Sequence, residues 1–333
     1  MKPSRTEIGR LAGALSCVLM LATPNAAIAQ GVELSDRSSD AEAAPFLLIP
    51  LGARNIGFGG AIAGARGDVE GVLWNPASIA GIDEWAVFYH GSNDFGTSTN
   101  AAGGVFGLGT TRVGVSILAL DLGTIDGRDE FNQPIGNIEI DNTAFVLTVA
   151  RAISESIEVG ASYKFLRISG SCPGCGGDEP DATGYAIDAA VIARPPGTDR
   201  IRLGLVVSNL GPDLGFSADG QENALPSRIR LGGEAELLRG SEARPVDLLV
   251  RADVRNVLTE FDGLDVFAGI EVGYADLAFL RAGYASGGEG RTGPTLGVGF
   301  RYNGLVVDLG RTFDDFSDFD SDSPFQVSVA YQP

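Results

Sequence analysis

The chain has 333 residues, 44% of them hydrophobic, and a formal net charge of −19. A surface this acidic repels phosphates, which excludes nucleic acid as a partner and also excludes a polybasic membrane-surface binder. Beyond the N-terminal leader no stretch approaches about 18 consecutive apolar residues, so a membrane-crossing helix is excluded, while a closed barrel is not.

The chain opens with Lys2, Arg5 and Arg10, an apolar run from Leu11 to Ala22, then Pro24 and the small-residue site Ala27-Ile28-Ala29. This pattern predicts a secretory signal peptide over residues 1–29, cut before Gln30, and export by the general secretory pathway. Cys17 lacks the lipobox Leu, because Ala14 stands in its place. The leader holds three of the 24 Lys and Arg and one of the 43 Asp and Glu, so the mature chain carries −21. Its only Lys is Lys164. Nearly all its positive charge is therefore Arg, which stays ionised and pairs with carboxylates in a confined space.

Residues 30–83 do not alternate. Gly31 to Ala44 is acidic and loop-like, and a Gly- and Ala-rich stretch containing Gly57, Gly59 and Gly60 leads to Asn75-Pro76-Ala77. Small residues pack closely against a wall and bend freely, so this segment is expected to be a hatch or plug inside a lumen. Asn75, Pro76 and Ala77 read as a gate element or as a simple tight turn, and one does not preclude the other.

From Glu84 to the C-terminus the period is two. Ile157, Val159, Ala161, Tyr163 and Phe165 face one way, and Glu158, Gly160, Ser162 and Lys164 the other. Val246 to Arg255 and Phe325 to Tyr331 repeat the pattern. About fourteen such segments follow one another, with starts near Glu84, Ser98, Thr111, Ile140, Ser156, Ala182, Arg200, Pro226, Val246, Asp262, Leu277, Thr292, Gly304 and Pro324. Each is near the length of a barrel strand. Long connections (Gly123–Glu139, Gly170–Asp181, Gly211–Leu225, Asp314–Ser323) alternate with tight ones (Gly109-Thr110, Ala275-Asp276, Asn303-Gly304), and Leu238–Pro245 is the exception at the short-turn end. The fold class expected is all-β: a transmembrane antiparallel β-barrel of about fourteen strands over residues 84–333, with the N-terminal plug. The polar strand face is expected to line the lumen with Glu158, Lys164, Asp188, Arg202, Arg230, Glu234, Arg251, Glu271, Arg281 and Arg301, joined by Glu236, Asp247, Asp253 and Asp308. Such charges are tolerated in a wet or plugged interior and not against lipid.

Cys172 and Cys175 lie in a Gly-rich run and are expected to form a local disulfide at a loop tip of the exported chain. A zinc site lacks ligands, since His90 is the only His. His90 shares the non-lipid face with Phe88, and no catalytic partners can be assigned to it, so no enzyme activity is expected. Asp314, Asp315, Asp318, Asp320 and Asp322 crowd one loop. A calcium loop of the EF-hand type would need Gly where Ser323 stands and Glu where Val329 stands, so a solvated acidic loop is expected. The Gly-rich stretches miss the nucleotide-binding fingerprints. Neither a cofactor nor a metal is implied.

Several short motifs occur in order: Leu51-Gly-Ala-Arg54, Gly57-Phe-Gly-Gly-Ala61, Trp74-Asn-Pro-Ala77, Val207-Ser-Asn-Leu-Gly211, Leu225-Pro226, Gly269-Ile-Glu271 and Leu280-Arg-Ala-Gly-Tyr284. Together they resemble the PorV/PorQ family, a branch of the FadL-type barrels, from about Pro45 to the end. The resemblance implies an outer-membrane barrel of fourteen strands with an N-terminal hatch carrying Asn-Pro-Ala. It also implies docking or shuttling of secreted cargo in type IX-like secretion, with cargo proteins or machinery subunits as partners beside outer-membrane lipid. The wider class implies the alternative, a FadL-like channel for hydrophobic small molecules. A greasy pocket near the hatch, built from Phe46, Leu47, Leu48, Ile49 and Phe58, would favour that alternative. The chain departs from the barrel pattern at its end, where Gln332 and Pro333 follow Tyr331.

Overall fold

The computed structural model describes residues 42–94, 97–128, 131–172, 181–216, 222–258, 263–287, 292–313 and 325–333. The signal peptide, Cys175 and the Asp314–Asp322 loop lie outside the described residues.

Fourteen antiparallel strands close into a barrel. In chain order they are β1 (Trp85–Asp94), β2 (Thr97–Leu108), β3 (Thr111–Arg128), β4 (Pro134–Ser154), β5 (Ile157–Ser171), β6 (Ala182–Ala193) and β7 (Ile201–Leu210), then β10 (Arg228–Leu238), β11 (Val246–Val257), β12 (Asp265–Tyr274), β13 (Ala278–Ser286), β14 (Gly293–Tyr302), β15 (Leu305–Thr312) and β16 (Phe325–Tyr331). The connection between β7 and β10 carries a two-stranded pair, β8 (Leu214–Gly215) and β9 (Glu222–Asn223). Each strand pairs with its neighbours along the wall, and β1 closes the ring against β16 through Val87↔Tyr331 to Ser92↔Gln326. Closure leaves the ring without a free edge, as lipid demands.

Alternation sorts the side chains. On β1, Trp85, Val87 and Tyr89 are exposed on the outer face, while Ala86, Phe88 and His90 are buried inside. The outer face is apolar around the ring, with Val115, Leu147, Leu205, Ile270 and Leu296 exposed in the same sense. Near the short-turn end Trp85 and Tyr331 lie 5.5 Å apart, with exposed Phe106, Tyr274 and Tyr302 on nearby strands. These aromatics form the interfacial girdle of a membrane barrel. Tyr331 is the last ladder residue, and Gln332 only donates to the Gly304 carbonyl at 2.9 Å, so the terminal strand does finish on an aromatic.

One expected loop is corrected. Residues 123–139 are not a free connection. β3 runs to Arg128 and β4 starts at Pro134, with Thr124↔Glu139, Ile125↔Ile138 and Asp126↔Asn137 paired past a bulge after Asp121. At 18 and 21 residues these strands are longer than the ~9–11 that span a bilayer, so the hairpin projects beyond it on the long-loop side. The connection 239–245 is tightened by the Ser241↔Arg244 bridge, which reconciles its length with the short-turn end.

The lumen is filled by the segment that precedes β1. It contains short 3-10 turns at Pro45–Leu48, Val69–Leu73 and Ser78–Gly81, and one short helix, α1 (Ala53–Gly57). Among the described residues no helix is long and apolar enough to cross a membrane. The segment enters at the long-loop mouth, where Ala43 N–H donates to the Ala224 carbonyl at 2.8 Å. It packs α1 against β13 to β16, packs its last turns against β3 to β5, and joins β1 at the short-turn end.

Candidate functional site: the plugged lumen

Two belts of charge hold the plug. Register places Arg202, Glu234 and Arg251 opposite one another on β7, β10 and β11. Glu234 accepts from Arg202 at 2.6 Å and from Arg251 at 2.8 Å. Register likewise places Glu271 of β12 opposite Arg281 of β13. Arg281 donates to Glu271 and to Asp308 of β15, each at 2.5 Å. Lys164 of β5 lies 2.7 Å from Asp188 of β6, and both are buried. Each of these ions is paired, the condition under which burial of charge is tolerable. Arg301 differs from the rest: it sits at the short-turn rim, bonded to Asp276 at 2.7 Å, with two-fifths of its side chain exposed.

Plug atoms enter these belts directly. Arg251 donates to Asn55 Oδ1 at 3.1 Å, and its guanidinium lies 4.3 Å from the centre of the Phe58 ring. Arg54 reaches Glu271 at 3.4 Å, and Arg66 reaches Glu158 at 2.6 Å. Burial alone would lower the Arg54 pKa, but Glu271 and Asp68 outweigh it and hold the guanidinium above its ordinary value. Asp253 Oδ2 accepts from the backbone N–H of Ile62 at 2.6 Å and of Ala63 at 2.8 Å, with Arg230 at 3.2 Å. Arg230 also donates to the Gly60 carbonyl at 2.7 Å.

Where no side chain ties the plug, backbone touches backbone. A Cβ on Gly204 of β7 would collide with the carbonyl of Ala63, and one on Gly160 of β5 would collide with Pro76. Gly57, Gly59 and Gly60 lie on this path, and Gly59 and Gly60 have φ of +70° and +88°, values that suit Gly. Asn75 is fully buried. Its Nδ2 donates to the carbonyls of Ile62 at 3.3 Å and Ala63 at 3.0 Å, and its Oδ1 accepts from Ala77 N–H at 3.2 Å. The Asn75-Pro76-Ala77 turn thus fastens the middle of the plug to its end.

One cluster was not foreseen. Ser328 of β16 accepts from Ala53 N–H at 2.9 Å and donates to Glu70 Oε1 at 2.7 Å, while His90 Nδ1 stands 3.0 Å from the same hydroxyl. A hydrolytic relay places the ring between hydroxyl and carboxylate and uses both ring nitrogens. In this cluster one nitrogen faces both groups, so the arrangement is a tie between plug and wall. The signal in the sequence was the polar inner face of the last strand, Gln326 and Ser328. Burial, with Asp68 nearby, pushes the Glu70 carboxyl well above the ordinary carboxylate range. Between that range and the raised value, the unfolded chain loses its proton while the folded chain keeps it, so stability falls as pH rises. The temperature at which the folded barrel opens in SDS should therefore drop from pH 5 to pH 8. Glu70→Gln should flatten that drop, and an unchanged slope would show that Glu70 does not titrate in this range.

Two cavities flank the plug. The one toward the long-loop mouth has a volume of about 400 Å³. Leu47, Leu48, Ile49, Leu73, Trp74, Leu118, Val146, Val206 and Phe267 give it apolar walls, with Arg228, Arg230 and Lys164 among its polar groups. Of the greasy residues expected at the hatch, Leu47, Leu48 and Ile49 line it, whereas Phe46 and Phe58 are buried in packing. The second cavity, about 630 Å³, is a charged vestibule at the short-turn end, lined by Arg54, Arg66, Arg202, Glu234, Glu271 and Arg301 among others. Cys172 is buried and disulfide-bonded, and the Cys175 expected to pair with it lies outside the described residues.

Residues 109–251 match the family of the type IX secretion system protein PorV. The chain is an outer-membrane barrel of FadL-like fold, similar to PorV over that stretch. Its architecture is similar to that of the Ralstonia pickettii toluene transporter TbuX, at 15% identity and a TM-score of 0.56, covering 84% of this chain and 97% of that one. The Pseudomonas putida toluene transporter TodX is similar at 13% identity and a TM-score of 0.57, over 84% and 96% of the two chains. A Pseudomonas aeruginosa FadL homologue follows at 13% and 0.51, over 85% and 99%. At these identities the likeness concerns the fold. No curated protein matches the sequence significantly. The PorV match spans β3 into β11, and so includes the projecting hairpin and the Lys164–Asp188 pair.

Proposed function

We propose that this PorV-like barrel docks or shuttles exported proteins at the outer membrane in a type IX-like secretion route, with lipid around it and cargo or machinery subunits as partners. The PorV match over residues 109–251 carries this reading. The stretch holds the longest strands, which lift a hairpin beyond the bilayer where a partner can reach it. The chain reaches the membrane after export by the general secretory pathway and cleavage before Gln30, leaving a plug over residues 30–83 and a barrel over 84–333. A Cys172–Cys175 bridge pins the β5–β6 loop in that oxidising space. The barrel works without catalysis and without a cofactor.

A second reading is favoured by the apolar cavity above the plug: a FadL-like conduit for hydrophobic small molecules, in which the Asn75–Ala77 turn pivots the hatch. One experiment separates the two. The native protein is drawn from outer membranes in mild detergent, and bound proteins and lipids are identified by mass spectrometry. Exported proteins sharing a common C-terminal domain support docking. Apolar small molecules without such proteins sink docking and support the conduit.

A further inference from the structure

The Arg residues of the lumen are matched with carboxylates, as Arg202, Arg251 and Arg281 show. Arg167 is different. It lies on β5 in phase with Tyr163 and Phe165, on the outer face of the wall, and is exposed. Among the described residues it makes neither an ion pair nor a side-chain hydrogen bond.

The strand sets its depth. Arg167 follows Ile157, the first residue of β5 at the short-turn end, by ten positions. At ~3.4 Å per residue and a tilt of about 35–45°, that is roughly 24–28 Å along the barrel axis, the height of the apolar band. Arg167 therefore stands at the far rim of the band, level with the head groups of the outer leaflet.

Register surrounds it with a defined set of side chains. Thr143 of β4 and Thr183 of β6 are its cross-strand partners and share the outer face. The next row toward the membrane centre is Phe145, Phe165 and Tyr185 on the same three strands. Phe145 and Phe165 lie 6.5 Å apart, and Tyr163, one row further in, stacks on Tyr185 at 5.8 Å and 18°. All four rings are exposed. A cation flanked by two hydroxyls thus tops an apolar platform. A guanidinium meets phosphate with a two-point hydrogen-bonded fork, and a hydroxyl donates to a phosphate oxygen. The rings offer acyl chains a broad apolar surface. One row nearer the loops, Asp121 and Asp141 stand opposite each other and are exposed. They repel an anion set any higher, which confines a phosphate to the Arg167 row.

We propose that Thr143, Arg167 and Thr183 seat the phosphate of an outer-leaflet lipid whose acyl chains lie on Phe145, Tyr163, Phe165 and Tyr185. The seat is on the outside of the wall, so it stands apart from both cargo docking and passage through the lumen.

The test is native mass spectrometry of the detergent-purified barrel titrated with bisphosphorylated lipid A. The parent should retain one lipid A per barrel. Arg167→Gln should weaken retention about tenfold, the factor expected from losing a charge-assisted contact. Arg151 is the control: it is an exposed Arg on the outer face of β4 near the short-turn end, with Thr111 and Val159 as its register partners. Arg151→Gln should bind lipid A as the parent does. Fully dephosphorylated lipid A should bind the parent as weakly as lipid A binds Arg167→Gln, and inorganic phosphate in excess should not displace the lipid, because it brings no chains to the rings. Equal retention by the parent and Arg167→Gln, an equal loss in Arg151→Gln, or displacement by inorganic phosphate overturns the proposal. If Arg167→Gln lacks the heat-modifiable mobility of a folded barrel, the comparison of lipid A with its dephosphorylated form on the parent decides, and equal binding of the two overturns the phosphate seat.

Discussion

Asp253→Ala will unseat the centre of the plug. One buried carboxylate oxygen takes both backbone N–H groups of Ile62 and Ala63 and lies 3.2 Å from Arg230. Removing it strips two buried donors of their acceptor and takes from the Arg230 guanidinium its ion-pair partner. Loss of one partner from a buried ion pair costs about 3–5 kcal/mol. The Gly60 carbonyl and the Phe267 ring still hold Arg230, so the effect falls on plug seating rather than on closure of the barrel. The folded barrel should open at a lower temperature in SDS, and current steps should appear in planar bilayers where the parent protein gives few. Asp253→Asn keeps one acceptor and should fall between. A variant as tight and as silent as the parent would show that the plug is seated elsewhere.

The second large effect is expected at Gly204. The Ala63 carbonyl lies where its Cβ would be, and both partners are backbone. No flexible side chain can move aside, so Gly204→Val exceeds the ~1–3 kcal/mol usual for overpacking. It should displace residues 60–64 from the wall and produce the same conductance as Asp253→Ala. The double variant should be little worse than either, because both act on one short stretch and neighbouring effects do not add. Full additivity in the opening temperature would mean that the two contacts fail independently. A tolerated Val at 204 would mean that the Ala63 carbonyl does not press on β7.

Much of this architecture was legible in the residues. Strand starts such as Thr111, Ala182 and Val246 could be read because lipid on one side and a packed lumen on the other enforce alternation. The hairpin over 123–139 was missed for the same reason. Thr124, Asp126, Gly136 and Asn137 stand beyond the bilayer, where neither face must be apolar and the ladder needs no alternation. The lumen charges were visible as a set, but not as pairs. That Arg281 meets both Glu271 and Asp308 depends on register across four strands, which alternation does not encode. Arg301 shared the phase of the belt, yet its place near the strand's end puts it on the rim. The path of the plug was least visible. A Gly- and Ala-rich stretch has no period, and several of its anchors are wall residues as far as 190 to 275 positions away.

Those separations bear on how the molecule is made. Ser328 stands on the last strand, five residues from the C-terminus, yet it takes the N–H of Ala53 and holds Glu70. The plug's contacts at Ala53 and Glu70 are complete only once β16 is in place. Contacts this distant in sequence are slow to form, because the loop they close must be ordered first. Joining β1 to β16 and completing the seat of the plug therefore draw on the same final strand. A change that weakens β16 thus loosens the ring and the plug together.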